Sequence, residues 1–165
     1  MSLKDLFEKG LTFDEFIETS EDDITRQRIR ERYDKTVLEK DVAQKIASLP
    51  KVNILAFAET WCPDSQVNVP IVAKIASYNK TFELKIVKRE GNEEYMKPYY
   101  VEGKPRIPTF VFMDENFKEF GHWVERPQIV RELEKREVAD WKRDYLKGKY
   151  DSEIIREIVY IFLRR

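Results

Sequence analysis

The stretch VNILAFAETWCPDS, residues Val52 to Ser65, joins two kinds of local structure. Its first half, Val52 to Ala58, is a nearly continuous apolar run of strand length, which predicts a buried central strand. Cys62 and Pro63 follow, and the Val- and Ile-rich residues after them predict a helix, since Pro is favoured at a first helical position. The stretch therefore predicts a strand that turns into a helix at the chain's single cysteine.

The elements that follow extend this start into a sheet. Phe82 to Val87 alternates apolar and polar residues and predicts a second strand, parallel to the first because a helix lies between them. A short helix is predicted from about Asn92 to Lys97. Ile107 to Met113 and Phe117 to Trp123 predict the two strands of a hairpin. These patterns predict an α/β fold with a central mixed sheet of four or five strands, flanked by helices.

Both ends of the chain are predicted to be helical. We expect three segments: a helical extension, a core and a helical appendage, at residues 1–50, 51–142 and 143–165. Thr12 and Glu15 fit a capping box at the start of a short helix. An apolar stripe at helical spacing then follows, interrupted at most by a bend near Lys35. Asp151 is predicted to start the last helix. The apolar faces of these helices must be buried against the sheet or in a homodimer interface.

Composition excludes several classes of partner and site. The chain has 30 Lys and Arg residues against 31 Asp and Glu residues, so no global positive field would hold a nucleic acid. One cysteine and one histidine build neither a disulfide framework nor a Cys/His metal site, so we expect no metal and no cofactor. The apolar runs are too short to span a membrane and the N-terminus lacks an apolar signal segment, so we expect a cytoplasmic protein without a membrane partner.

Cys62 is the one residue placed for thiol chemistry. A helix start favours the thiolate, because free backbone N–H groups and the positive end of the helix face the sulfur. Ser65 can donate its hydroxyl to that sulfur, whereas the charge of Asp64 acts in the opposite direction, so the direction of the pKa shift stays open. Glu59 is a candidate proton shuttle, with a solvated loop carboxylate as the alternative.

A second motif, Ile107-Pro108-Thr109, begins a later strand. A proline at such a position is a candidate for a cis peptide bond, with an ordinary trans proline on an edge strand as the alternative. Tyr99 and Tyr100 lie in the preceding loop with basic residues around them. This loop predicts either a pocket for a peptide or an anionic thiol, or a charged surface with the rings packed inward. His122 is interpreted as a partly buried strand residue.

From Lys51 to Lys142, the order of these features resembles the thioredoxin superfamily: a strand, Trp-Cys-x-x-Ser at a helix start, a βαβ unit, Ile-Pro-Thr and a hairpin. The resemblance implies a thioredoxin-like fold in which Cys62 attacks and Pro108 is a cis-proline packed against it. The implied substrate groove comprises Trp61, Pro63, Asp64, Ile107, Pro108 and Thr109. The chain departs from dithiol members at Ser65, where they carry a resolving cysteine, and at Ala56, where many carry a buried acid.

The Cys-x-x-Ser form is similar to monothiol relatives. It implies a thiol–disulfide oxidoreductase in which Cys62, assisted by Ser65, forms a mixed disulfide with a protein or a low-molecular-weight thiol. Two alternatives stay open: a non-catalytic binding module of thioredoxin fold, and a Cys-to-Ser variant of a dithiol enzyme. A peroxidase would need a Thr and Arg set around its cysteine, which Thr60 alone does not supply.

Overall fold

A four-stranded mixed sheet forms the centre of the computed structural model, which describes residues 1–165. Its strands are β1 (Asn53–Phe57), β2 (Glu83–Val87), β3 (Thr109–Met113) and β4 (Glu119–Val124). They lie in the order β2-β1-β3-β4, with β2 parallel to β1, and with β3 antiparallel to both β1 and β4. The prediction of a mixed sheet built on a βαβ unit and a hairpin is confirmed, with four strands.

Nine α-helices surround the sheet. They are α1 (Leu3–Lys9), α2 (Phe13–Glu18), α3 (Asp23–Lys35), α4 (Lys40–Ala47), α5 (Pro63–Ser77), α6 (Glu93–Met96), α7 (Gln128–Lys135), α8 (Trp141–Lys147) and α9 (Asp151–Leu163). The capping box of Thr12 and Glu15 starts α2 as predicted. Ser2 and Asp5 form a second capping box at α1, which the sequence analysis did not identify.

The helical stripe predicted to bend near Lys35 is instead two separate helices. α3 ends at Lys35, and the Thr36 hydroxyl donates to the Arg32 carbonyl at 2.7 Å, which satisfies a carbonyl of the last turn. Leu38 in the connection is buried, and its N–H donates to the Tyr78 hydroxyl at 3.3 Å. Ending the helix at Lys35 places Leu38 in the apolar core of the protein.

Each face of the sheet has its own apolar cluster. All five residues of β1 are buried, which is why the strand reads as a continuous apolar run. Ile54 and Ala56 belong to the larger cluster, with side chains from α2 to α5 and from α7 to α9. Leu55 and Phe57 belong to the smaller cluster, with side chains from α1 and α6 and with Cys62. The thiol thus lies at the margin of the smaller cluster.

The terminal helices supply core side chains to the sheet. The ring of Phe162 on α9 lies 4.8 Å from that of Phe112 on β3, edge to face, and both residues are fully buried. From the N-terminal segment, Ile17 and Ile29 are also fully buried in the larger cluster. None of the helices has the length and apolar character needed to cross a membrane.

Candidate functional site

Cys62 stands immediately before α5, at the end of the loop that leaves β1. Its extended backbone makes it the N-cap of the helix, with Pro63 at the first helical position. Its N–H donates to the Glu59 carbonyl at 3.2 Å, and its carbonyl accepts from the Gln66 N–H at 3.0 Å. The residue is buried, with 7% of its surface exposed. The strand-to-helix turn therefore holds the thiol in one place and covers most of it.

The Ile107–Pro108 motif faces the sulfur. The peptide bond between these residues is cis, and the Ile107 carbonyl lies 3.8 Å from the Cys62 Sγ, within reach of an S–H donor. The Pro108 carbonyl accepts from the Glu125 N–H at 2.8 Å, which ties this loop to the end of β4. Thr109 is fully buried and its hydroxyl donates to the Arg106 carbonyl at 2.6 Å, so its side chain anchors the loop.

The environment raises the pKa of the Cys62 thiol. Burial is the largest cause, since a thiolate loses its hydration in the apolar cluster, and the charge of Asp64 acts in the same direction. The backbone N–H and hydroxyl of Ser65 favour the thiolate but do not outweigh burial. The direction that the sequence left open is therefore upward, and at neutral pH the sulfur carries its proton.

Ser65 and Glu59 form the floor beneath the helix start. Ser65 is fully buried, and its Oγ accepts from the Glu59 N–H at 3.4 Å. The Glu59 carboxylate is largely buried and accepts from the N–H groups of Arg89 and Glu90, at 3.1 and 3.2 Å. Glu59 thus joins the loop after β1 to the loop after β2, and its role as a proton shuttle stays a prediction.

Asp64 belongs to a buried polar network that the sequence analysis missed. Its carboxylate accepts from the Arg126 guanidinium at 3.0 and 3.3 Å and from the Tyr145 hydroxyl at 2.8 Å. Asn68 donates to the Tyr145 hydroxyl and to the Glu125 carbonyl, both at 2.8 Å. Arg126 and Tyr145 lie 62 and 81 residues from Asp64 along the chain, so no local pattern could signal the contact.

The network holds the start of α5 against α8 and the end of β4. Burial, reinforced by the charge of Asp64, raises the pKa of Tyr145, so its hydroxyl stays a proton donor to Asp64. Burial alone would lower the pKa of Arg126, but the Asp64 carboxylate raises it. Asp64, predicted to line the substrate groove, therefore has its carboxylate directed at Arg126 and Tyr145.

The predicted groove residues differ in accessibility. Trp61 has 62% of its surface exposed, and Pro63 is also exposed. The Arg89 guanidinium lies 5.5 Å from the centre of the Trp61 ring, in cation–π range. Ile107 and Pro108 are both buried, and the Ile107 carbonyl lies next to the sulfur. An approaching molecule would meet Trp61 and Pro63 first.

The other candidates lie away from the thiol. His122 is exposed on β4, against the Tyr99 ring and 3.8 Å from the Glu119 carboxylate. The Tyr99 hydroxyl donates to Glu119, and that of Tyr100 donates to the Glu93 carbonyl at 3.2 Å. Both tyrosine hydroxyls are therefore engaged within the protein, as the inward-packed interpretation expects. No group of three or more His, Cys, Asp or Glu side chains is arranged to hold a metal ion.

Comparison with known proteins supports the fold. A protein-family model described as Thioredoxin matches residues 10–142. No curated protein matches the chain. A protein of unknown function from Pseudomonas aeruginosa is similar in structure, with a TM-score of 0.84 and 23% identity over 98% of this chain and 96% of that one. An HIV epitope-scaffold protein has a TM-score of 0.85 and 22% identity over 100% and 99% of the two chains.

Proposed function

Because the chain belongs to the thioredoxin family, whose model matches residues 10–142, we propose that it is a thiol–disulfide exchange protein acting through Cys62 alone. The family suggests a redox-type function. The observation that carries the proposal is the position of the sulfur, which lies before the first turn of α5 and 3.8 Å from the Ile107 carbonyl, beside Pro108. No other thiol is present in the chain.

The exchange takes two steps. The Cys62 thiolate attacks one sulfur of a substrate disulfide, so a bond forms between Cys62 and the substrate while the substrate's own S–S bond breaks and its leaving sulfur takes a proton. A second, external thiol then attacks the substrate's sulfur in the mixed disulfide: a new S–S bond forms between that thiol and the substrate, the bond to Cys62 breaks, and the Cys62 sulfur takes the proton. Because Ser65 supplies a hydroxyl where a resolving thiol would stand, the second thiol must come from another molecule. The substrate is a protein or a low-molecular-weight disulfide.

A raised pKa of Cys62 would slow both steps of the exchange. A small thiolate fraction slows the first attack, although each thiolate is intrinsically more nucleophilic when its pKa is high. A thiol of high pKa also leaves slowly, so Cys62 is a poor leaving group when external thiols attack the mixed disulfide at the substrate's sulfur. The proposal is therefore one of slow exchange and long-lived mixed disulfides.

The surrounding residues take different parts in this proposal. Trp61 and Pro63 form one wall of the substrate groove and Ile107 with Pro108 forms the other. Asp64 and Thr109 act as positioning residues through their contacts with other loops. Glu59 would carry protons between the sulfur and solvent. A reducing compartment such as the cytoplasm would keep Cys62 in the thiol form that this chemistry needs.

The test measures the reduction of a disulfide substrate and the formation of a mixed disulfide at Cys62. The wild-type protein is incubated with insulin and an external thiol, and precipitation of the reduced insulin chains is timed against the Cys62→Ala variant. We expect faster reduction with the wild type, and a single mixed-disulfide adduct by mass spectrometry after incubation with oxidised glutathione. Equal rates for the two proteins would refute catalysis by Cys62.

A second candidate is a binding module that holds a partner without exchange. It is favoured by one observation, the burial of Cys62 beside the exposed ring of Trp61. The two candidates differ in what Cys62→Ala does to a captured partner. A binding module keeps its partner in that variant and loses it in Trp61→Ala, whereas an exchange protein loses the covalent adduct in Cys62→Ala.

A further inference from the structure

A cleft of about 710 Å³ opens beside the exposed ring of Trp61. It lies between α3, the first turns of α5 and α8, and we call it the basic cleft. All its charged lining residues are cationic: Arg28, Arg32, Lys142, Arg143 and Lys147. The whole chain has a formal charge of -1, so the cleft is a local concentration of positive charge next to the thiol motif.

Not all of this charge is neutralised within the protein. Arg32 pairs with Asp151 at 3.0 Å, and Arg143 pairs with Asp140 at 3.3 Å and with Asp144 at 3.8 Å. The remaining three cations form no ion pair, and they are Arg28, Lys142 and Lys147. Cations without partners attract an anion over about 8 to 10 Å at physiological salt. The basic cleft is therefore electrostatically suited to an acidic ligand.

The cleft is physically connected to the motif that carries the thiol. The Arg28 guanidinium donates to the Gln66 side-chain oxygen at 3.3 Å, and the Gln66 amide donates to the Thr60 carbonyl at 2.8 Å. Thr60 directly precedes Trp61. On the other side, Arg32 donates to the Leu146 carbonyl and ties α3 to α8. A ligand in the cleft would thus be held at a fixed position relative to Trp61 and Cys62.

From this charge and placement we infer that the basic cleft binds an acidic polypeptide segment that lies next to the disulfide of a protein substrate. The inference rests on the proposed function and names its substrate class. The cations without ion-pair partners come from two helices, Arg28 from α3 and Lys142 with Lys147 from α8. More than one carboxylate of a bound polypeptide segment can therefore meet a cation in the cleft. Trp61 and Pro63 offer an apolar surface to the same segment.

The test measures binding without thiol chemistry. A Cys62→Ser protein is titrated into two fluorescent peptides that lack cysteine, one rich in Glu and Asp and one with the matching Gln and Asn residues. We expect the acidic peptide to bind at least about tenfold more tightly at low salt, and to lose this advantage as salt screens the charges. A Lys142→Glu/Lys147→Glu variant should lose it as well.

The matched control reverses two lysines at the other end of the molecule. Lys80 follows the C-terminal end of α5, Lys118 lies in the turn between β3 and β4, and both are exposed. A Lys80→Glu/Lys118→Glu variant has the same net charge and should keep the preference for the acidic peptide. Equal binding of both peptides, or equal loss in both variants, would overturn the inference.

Two competitors separate other occupants of the cleft. Glutathione or a single-stranded oligonucleotide that binds the Cys62→Ser protein more tightly than the acidic peptide would also overturn the inference. Because no disulfide takes part in this experiment, its outcome does not depend on whether Cys62 exchanges disulfides. If the wild-type protein does not accelerate insulin reduction but the Cys62→Ser protein still prefers the acidic peptide, the proposed function is refuted. The inference that the basic cleft binds an acidic segment is then still supported.

Discussion

Cys62 is subject to two opposing physical effects at one atom. Its position before α5 gives the sulfur helix-start amides, and Ser65 favours the thiolate. Its membership of the apolar cluster on the α1 face of the sheet disfavours any charge. The second effect is larger, so burial, which is a property of the folded chain, decides the direction of a pKa shift that the local sequence leaves open.

We expect the alkylation of Cys62 to titrate at higher pH than that of a free cysteine. The pKa is raised, so the thiolate fraction at neutral pH falls below that of an unfolded chain, and the rate should climb steadily as pH rises. Stopped labelling with iodoacetamide across pH measures the midpoint, with the urea-unfolded protein as the free-thiol control. Ser65→Ala should move the midpoint further up, and a midpoint below that of the unfolded chain would contradict the prediction.

The hydroxyl of Tyr145 makes a measurable contribution to stability. Tyr145→Phe leaves one oxygen of Asp64 and the Asn68 amide without this partner in a buried site, which should cost about 1 to 3 kcal/mol. Urea unfolding of the variant measures the loss. Tyr150→Phe is the matched control, expected to stay within about 0.5 kcal/mol because its hydroxyl makes no hydrogen bond. Equal stability of both variants would show that the Tyr145 hydroxyl contributes nothing to stability.

At the scale of elements, α9 packs against β4 through a close approach at Gly121. A Cβ added there would clash with the Ile161 Cγ2 on α9. Glycine at this position therefore sets the distance between the helix and the strand. The contact was not predictable from the sequence, because Gly121 and Ile161 lie 40 residues apart.

We expect Gly121→Ala to destabilise the fold by about 1 to 3 kcal/mol through overpacking. The decisive comparison is the double variant with Ile161→Ala, which removes the clashing carbon. The two changes should cost less together than the sum of their separate effects, by chemical denaturation. Strictly additive losses would mean that the helix shifts freely and that Gly121 does not set its position.

The elements that the sequence predicted are those with a local cause. β1, α5 and the β3–β4 hairpin follow from apolar runs, alternation and turn residues within short windows. The break between α3 and α4 was predicted only as a bend, because the contact of Leu38 with Tyr78, 40 positions away, forms only in the folded chain. The Asp64 network and the basic cleft were missed for the same reason: their members meet only after folding. The cis bond at Pro108 was found through family resemblance.

For the whole molecule, the terminal helices and the sheet share one core. Phe162 near the C-terminus is fully buried among Phe82, Phe112 and Phe120. The two similar solved structures match this chain over 98% and 100% of its length, so the terminal helices recur in both. The sequence analysis divides the chain into an extension (1–50), a core (51–142) and an appendage (143–165). We propose that all three unfold together.

Phe162→Ala tests this at a single position. Removing a buried ring from the core should cost about 3 to 5 kcal/mol and lower the midpoint of a single unfolding transition. Leu163→Ala, which truncates the exposed neighbour, should change stability little. Thermal unfolding followed by circular dichroism and by tryptophan fluorescence should give coincident curves for both variants. Separate transitions, with the fluorescence midpoint unchanged in Phe162→Ala, would show that α9 unfolds independently.

The backbone bridge between Leu11 and Ile86 affects the tendency of the protein to aggregate. β2 is an outer strand, and the N–H and carbonyl of Ile86 both bond to Leu11 at 2.8 Å. Gly10 permits this, because a Cβ there would lie 2.8 Å from the Lys85 Cβ. An outer strand with free backbone groups recruits strands from other molecules and starts aggregates. The N-terminal residues thus cover part of the β2 edge of the sheet, which disfavours edge-to-edge association between molecules.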